Sequence, residues 1–355
     1  MSALKIYAGS EALQHIQQNG LSKSDISMLL GASGGPKWLV LATLDRYLIS
    51  EWIVGRTQPM HLLGTSAGAW RLSCYAQAAP LAAHARLQEA YLAQQYPDKP
   101  SRVEISAVIS GILDHAFGET GGAEIVQNPT MRYHAIVARC KGLGALENAS
   151  LQTLGMLAAF AANLASPAAM RPFVERVLFH HAEQPPISQF PSLPVRKALL
   201  TKENIKQAVL ASGSIPVIFD GVKDIAGAPA GMYRDGGITD YQFDLPILPE
   251  QGFVLYPHYS ALPPKGVWFD KNLKKRQAKS EHYKRTIIVA PSPEFEASLP
   301  GGKIPDRQDV FDFPDYKDRR PRWDKVIQEC ERMAAEFADV DQQQRWDEVV
   351  EPLPW

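Results

Sequence analysis

The stretch HLLGTSAGAW, His61 to Trp70, decides the fold. It begins as an apolar run, stops at Gly64, presents Ser66, and resumes as a segment of small residues compatible with a helix. A strand that feeds a helix through so tight a turn forces the turn residue into a strained backbone conformation. Neighbours with little or no side chain make that tolerable, and Gly64, Ala67 and Gly68 meet the demand. Such a turn lifts the Ser66 hydroxyl clear of the sheet, beside the free N–H groups that open the helix. The pattern equally suits a plain β-to-α turn with an N-capping serine. Ser66 therefore takes its meaning from the rest of the chain.

Working outward, ISMLLGASGG reads as a strand from Ile26 to Leu30 running into a glycine loop. PKWLVLATLDRYLIS reads as the helix that follows, with Pro36 where a first helical residue belongs. MHLLG is the second strand, and a helix runs from Ala67 to about Ala78. Two more helices are expected in LAAHARLQEAYLAQQY and from Ile105 to Phe117. RYHAIVARCKG and VERVLFHHA look like strands, separated by the alanine-rich LGMLAAFAANLASPAAM, Leu154 to Met170, which suits a core helix or a cap over a site. TKENIKQAVLASGSIPVIFDGV starts as a capped helix at Thr201 and breaks at Pro216. MYRDGGITDYQFDLPI then gives strand, turn and loop, and RTIIVAPS a late strand. From Trp323 to Trp346, Val326, Ile327, Met333, Phe337 and Val340 among charges predict an amphipathic terminal helix. The stretches 262–285 and 299–322 read as exposed connections. Strands alternating with helices predict an α/β fold with a largely parallel sheet.

Composition narrows the partners. The chain has 355 residues and a formal net charge of −1, so nothing global draws it to nucleic acid. Cys74, Cys140 and Cys330 are odd in number and far apart, which suits free thiols in a reducing compartment. The N-terminus lacks a basic region followed by a long apolar core, so no secretory signal is expected. Leu154 to Met170 is too short and too interrupted, by Asn163 and Pro167, for a membrane span. A cytoplasmic protein is the expectation, with no metal, no cofactor and no calcium loop of spaced carboxylates.

A nucleophilic serine needs a base and a home for the oxyanion. In GASGGPKW, Gly34 and Gly35 lie between a strand and the helix that Pro36 opens, so their N–H groups can face a developing negative charge, with Lys37 and the Ala67 N–H as further donors. A phosphate-binding loop would require Gly-Lys followed by Ser or Thr, and Pro36-Lys37-Trp38 departs from that. In YRDGGITD, Asp235 ends an expected strand, and Gly236 and Gly237 let the chain turn sharply beside another backbone. Alone, each motif is an ordinary turn signal.

Glycine loop with a basic residue, then G-x-S-x-G, then D-G-G: this order resembles the patatin-like phospholipases and lipid acyl hydrolases. The resemblance runs from about Ser27 to Ile247 and takes in ASGSIPVIFDGV. It implies a three-layer α/β/α fold, an N-terminal segment at 1–24, an acyl hydrolase domain at 25–250, and a C-terminal extension at 251–355 packed on that domain and ending in the amphipathic helix. It implies a Ser66–Asp235 dyad without histidine, an oxyanion loop of Gly34 and Gly35 with Lys37 at its basic position, and hydrolysis of lipid esters. Ser33, Pro36 and Trp38 depart from the family's loop, and Asp240 and Tyr241 stand where it tends to show Asn and Pro. Two other readings remain open: a triad esterase using His258 or His282, and a silent lipid-binding protein of the same fold. The basic run Lys265, Lys271, Lys274, Lys275, Arg276, Lys279, Lys284 and Arg285, interleaved with Trp268, Phe269 and Tyr283, suits either an anionic membrane surface or a solvated loop.

Overall fold

The computed structural model describes residues 2–355. Eleven strands form one sheet: β1 (Leu4–Ala8), β2 (Ile26–Gly31), β3 (Met60–Thr65), β4 (Met131–Cys140), β5 (Val174–His180), β6 (Val195–Leu199), β7 (Val222–Lys223), β8 (Met232–Arg234), β9 (Phe253–Pro257), β10 (Thr286–Pro291) and β11 (Val350–Pro352). Its main path is β11-β1-β10-β9-β2-β3-β4-β5-β6. The five central strands, β10, β9, β2, β3 and β4, run parallel to one another. They are buried along nearly their whole length because helices cover both faces, giving the mostly parallel, three-layer α/β/α arrangement. β5 and β1 flank this block antiparallel to β4 and β10.

The expected strands and helices of the first half are present, with shifted ends. The segment after the glycine loop is a composite, a 3₁₀ turn at Gly35–Leu41 continuing as α-helix Ala42–Tyr47. The helix expected from Thr201 starts at Ile205, because the Asn204 side chain holds the Thr201 N–H and the carbonyls of Leu199 and Ala226 in a turn. The alanine-rich stretch forms helix Ala149–Ala165, which is neither core nor cap. It buries Gln152, Gly155, Met156, Ala159 and Asn163 and leaves its other face in solvent. No helix among the described residues is long and apolar enough to cross a membrane.

The C-terminal third differs most from expectation. The single helix expected over 323–346 is two, Tyr316–Glu329 and Glu331–Gln343, and the chain goes on to add β11 beside β1. The stretch 299–322 is not a free connection, since helix Gln308–Asp312 and the start of the next helix wall a cavity with Val310, Phe311 and Tyr316. Nor is 262–285 uniformly exposed: Tyr283 is buried and donates its hydroxyl to the Phe243 carbonyl, and Asp270 is buried against Asn163.

Candidate active site

Strand register explains how residues 169 positions apart meet. β3 pairs with one side of β4 up to Thr65↔Ile136. β5 occupies the other side, so β8, pairing Arg234↔Ala138 antiparallel, must continue the β3 side from the opposite direction. The two chain ends collide beside Val137, and the next residues are Ser66 and Asp235. Gly236 is required at this junction, because a Cβ there would lie 2.1 Å from the Ile136 carbonyl oxygen.

Ser66 sits at φ 52°, ψ −128°, a conformation costing about 1–3 kcal/mol for a residue with a side chain. Its surroundings fix it there. The Ser66 N–H donates to Ser212 Oγ at 2.9 Å, and that hydroxyl donates to the Ile136 carbonyl at 2.7 Å. At Gly68 a Cβ would lie 1.9 Å from the Gly31 carbonyl oxygen, so the end of β2 meets the first helical turn backbone to backbone. Gly64 is equally crowded, against Ala69.

Ser66 Oγ donates to Asp235 Oδ2 at 2.6 Å. Asp235 Oδ1 accepts the Gly237 N–H at 2.7 Å, and the Asp235 N–H donates to the Ser214 carbonyl at 2.9 Å. Both residues are nearly buried. Burial pushes the Asp235 carboxyl up to about 6, against the opposing effects of the Ser66 hydroxyl, the Gly237 amide and Arg307. A carboxylate poised there can accept a hydroxyl proton near neutral pH and return it.

The glycine loop lies alongside. The Ser33 N–H donates to the Tyr241 carbonyl, and the Ser33 carbonyl accepts from Tyr259 Oη at 2.7 Å, so the two departures Ser33 and Tyr241 clamp the loop. Among the described residues, the N–H groups of Gly34, Gly35 and Ala67 donate to no protein acceptor. The Lys37 N–H, expected as a further donor, makes a long 3.4 Å bond to the Gly34 carbonyl. Asp240 binds Arg176 through both carboxylate oxygens, at 2.5 and 2.8 Å, in the buried wall behind the turn.

Two cavities converge on Ser66. The larger, about 540 Å³, is lined by Trp38, Trp70, Leu87, Ile109, Phe219 and Phe311, among others, and is mostly apolar. Trp38 does not obstruct it. The indole packs edge-on against His84 and Tyr91 and forms a wall. The smaller cavity, about 260 Å³, contains Ser66 and Asp235 with Lys37, Lys271 and Arg307.

Neither candidate histidine reaches Ser66 or Asp235. His258 is buried, its Nδ1 2.7 Å from the Ser260 carbonyl, and burial lowers it to about 4. His282 binds Asp244 at 2.7 Å. Among the described residues no group of His, Cys, Asp and Glu is placed to hold a metal. Ser212 and Ser214, which hold both halves of the junction, were visible in sequence only as part of ASGSIPVIFDGV. Tyr259 carried no signal at all.

No curated protein matches the chain. The crystal structure of VipD from Legionella pneumophila shares 11% identity, covering 93% of this chain and 70% of that one, with a TM-score of 0.30, too low to carry an argument. A family model described as patatin-like phospholipase matches residues 55–243, a span that contains both Ser66 and Asp235. That span is just over half of the chain, and the chain belongs to the patatin-like phospholipase family.

Proposed function

We propose that the protein is a lipid acyl hydrolase in which Ser66 is the nucleophile and Asp235 the sole general base. The observation that carries this reading is the 2.6 Å hydrogen bond to Asp235 from Ser66, a residue that lines an apolar cavity. Ser66 Oγ attacks the ester carbonyl carbon as its proton passes to Asp235, giving a tetrahedral oxyanion. The free N–H groups of Gly34, Gly35 and Ala67 hold that charge. Collapse breaks the carbonyl carbon–alkoxy bond, and protonated Asp235 gives its proton to the departing alcohol. Water, deprotonated by Asp235, then attacks the acyl-Ser66 ester and releases the fatty acid and a regenerated serine.

The raised carboxyl of Asp235 sets the pH dependence. Only its ionised form accepts a proton, so kcat/KM for a soluble ester is expected to rise with pH through an apparent value near 6 and level off above about 7. A pH–rate profile checks this. A limb near 4, where an exposed carboxyl titrates, would put the base elsewhere.

We further propose that an anionic bilayer is the docking surface. Helix Ala149–Ala165 contains no charged residue and exposes Leu154, Leu157 and Leu164 to 54, 57 and 54%. Its C-terminal end is tied to the basic run, where Arg276 donates to the Asn163 and Leu164 carbonyls and contacts Asp270. Arg276, Lys265 and Arg285 are committed to such internal contacts, leaving Lys274, Lys275 and Lys279 exposed beside the apolar face. An apolar strip with adjacent lysines matches a negatively charged interface. Leu154→Ser with Leu157→Ser, and separately Lys274→Ser with Lys275→Ser, are each expected to lower sedimentation with phosphatidylglycerol-containing vesicles at least threefold at low salt. Binding equal to that of the unaltered protein in both pairs would exclude this face.

A further inference from the structure

The segment that walls the larger cavity turns on a residue whose side chain opposes its backbone conformation. Val217 sits at φ 70°, in the left-handed region that a β-branched residue almost never enters. It follows Pro216, and a turn with proline second and a positive φ third ordinarily carries glycine at that third place. Packing does not account for the valine, because its side chain is exposed. The turn must be held from its backbone.

The segment is anchored at both ends. Before the turn, the Ser214 carbonyl accepts the Asp235 N–H at 2.9 Å. After it, the Asp220 N–H donates to Ser106 Oγ at 2.8 Å and the Gly221 N–H to Glu147 Oε1 at 3.0 Å. Between these anchors Ile215, Ile218 and Phe219 line the larger cavity together with Ser66. The Phe219 N–H closes the turn on the Ile215 carbonyl at 3.0 Å. Among the described residues, the Val217 N–H is the one backbone donor of 215–219 that reaches another element. Its acceptor is Gln152 Oε1, on helix Ala149–Ala165.

Gln152 is fully buried, and its Nε2 donates to the Leu146 carbonyl at 2.6 Å. A carbonyl at one end and an N–H at the other admit only one orientation of the amide, with its oxygen toward Val217. Without that oxygen the Val217 N–H loses its acceptor, and nothing opposes relaxation of φ to the negative values that valine prefers. A change of φ at 217 swings Ile218 and Phe219 relative to Ile215.

We propose that Gln152 is a positioning residue for the acyl cavity: by holding Val217 in its left-handed conformation, it keeps Ile218 and Phe219 in the wall beside Ser66. The proposal rests on the reading of Ser66 as nucleophile with the acyl chain in the larger cavity. Gln152 lines neither cavity, so its effect on an ester passes through one backbone N–H.

The test compares p-nitrophenyl decanoate with p-nitrophenyl acetate, which share the scissile bond and differ in the chain the cavity would hold. The unaltered enzyme is expected to favour the decanoate in kcat/KM by at least about 20-fold. Gln152→Leu keeps the bulk and removes the amide, and there the preference is expected to fall at least about tenfold, mainly through a higher KM for the decanoate. Lost stability alone leaves the preference unchanged, because both esters meet the same folded fraction. Glycine holds a positive φ without strain, so adding Val217→Gly to Gln152→Leu is expected to restore the preference to within about threefold of the unaltered enzyme. Val217→Pro, at an exposed position, leaves Gln152 in place but removes the N–H and forces φ to about −65°, and is expected to lose the preference as Gln152→Leu does. A preference that survives either Gln152→Leu or Val217→Pro, or a loss that Val217→Gly does not reverse, overturns the proposal.

Calorimetry with decanoate below its micelle concentration, on Ser66→Ala, reads the wall without the chemistry. Saturable binding is expected, weakened at least about fivefold by Gln152→Leu and recovered when Val217→Gly is added as well. That pattern with neither ester turned over would sink the hydrolase reading and keep the tether. No decanoate binding, or no preference for the longer ester in the unaltered enzyme, would take the acyl chain out of this cavity and overturn the proposal.

Discussion

Ser66→Ala is expected to lower kcat/KM for a soluble p-nitrophenyl acyl ester by at least about 10⁴-fold while leaving the circular dichroism spectrum unchanged. The size of the effect follows from what the hydroxyl does in the proposed reaction: it forms the covalent bond, and no neighbouring group can replace it. The fold should survive because its constraints are elsewhere. The strained turn is held by the Ser66 N–H on Ser212 and by the backbone approach of Gly68 to Gly31, and both persist when Oγ is removed. Turnover of the variant at the unaltered rate would place the nucleophile outside this turn.

The second large effect separates one general base from another. Asp235→Asn keeps the shape of the side chain and an oxygen for the Gly237 N–H, but it cannot take the Ser66 proton, and kcat is expected to fall by about 10³ to 10⁴-fold. His258→Ala and His282→Ala are expected to stay within about tenfold of the unaltered enzyme, since neither ring touches Ser66 or Asp235. Loss of stability will not imitate the Asp235 result. The Asp235 carboxyl is raised above its ordinary value, so the folded state binds its proton more tightly than the unfolded one. Its contribution to stability is greatest at low pH and is lost as the pH rises through about 6. At pH 8 the buried carboxylate is a cost that asparagine lacks. Asp235→Asn is therefore expected to melt at the same temperature or higher there, and collapse of activity in a histidine variant with Asp235→Asn still active would move the chain to the triad reading.

Much of the junction was legible because its constraints are local. Small residues around Ser66 and the pair Gly236–Gly237 are there because a Cβ would strike a neighbouring backbone, and such requirements mark the sequence directly. The central strands were legible for a related reason: buried on both faces, they are short continuous apolar runs. What stayed hidden depends on long-range pairing. β11 is the edge strand and β1 its neighbour, with partners about 340 and 280 residues away, and three residues of β11 carry almost no periodicity. Charge misled in the stretch 299–322, where Val310 and Phe311, the latter still 63% exposed, line the larger cavity from among acids and bases. The basic run was read as one patch, although Arg276, Lys265 and Arg285 are spent on carbonyls and Lys271 turns to the site. A run of lysines and arginines shows charge, not direction.

The central claim is that Ser66 is the activated nucleophile, and the most direct measurement is the position of a fluorophosphonate adduct on the purified protein. Tryptic cleavage after Arg56 and Arg71 yields a peptide, 57–71, in which Ser66 is the only serine. The account predicts stoichiometric phosphonylation of Ser66 within that peptide, none in Ser66→Ala, and labelling of Asp235→Asn slowed by at least about a hundredfold. An adduct at any other residue, with Ser66 recovered unmodified, would contradict it.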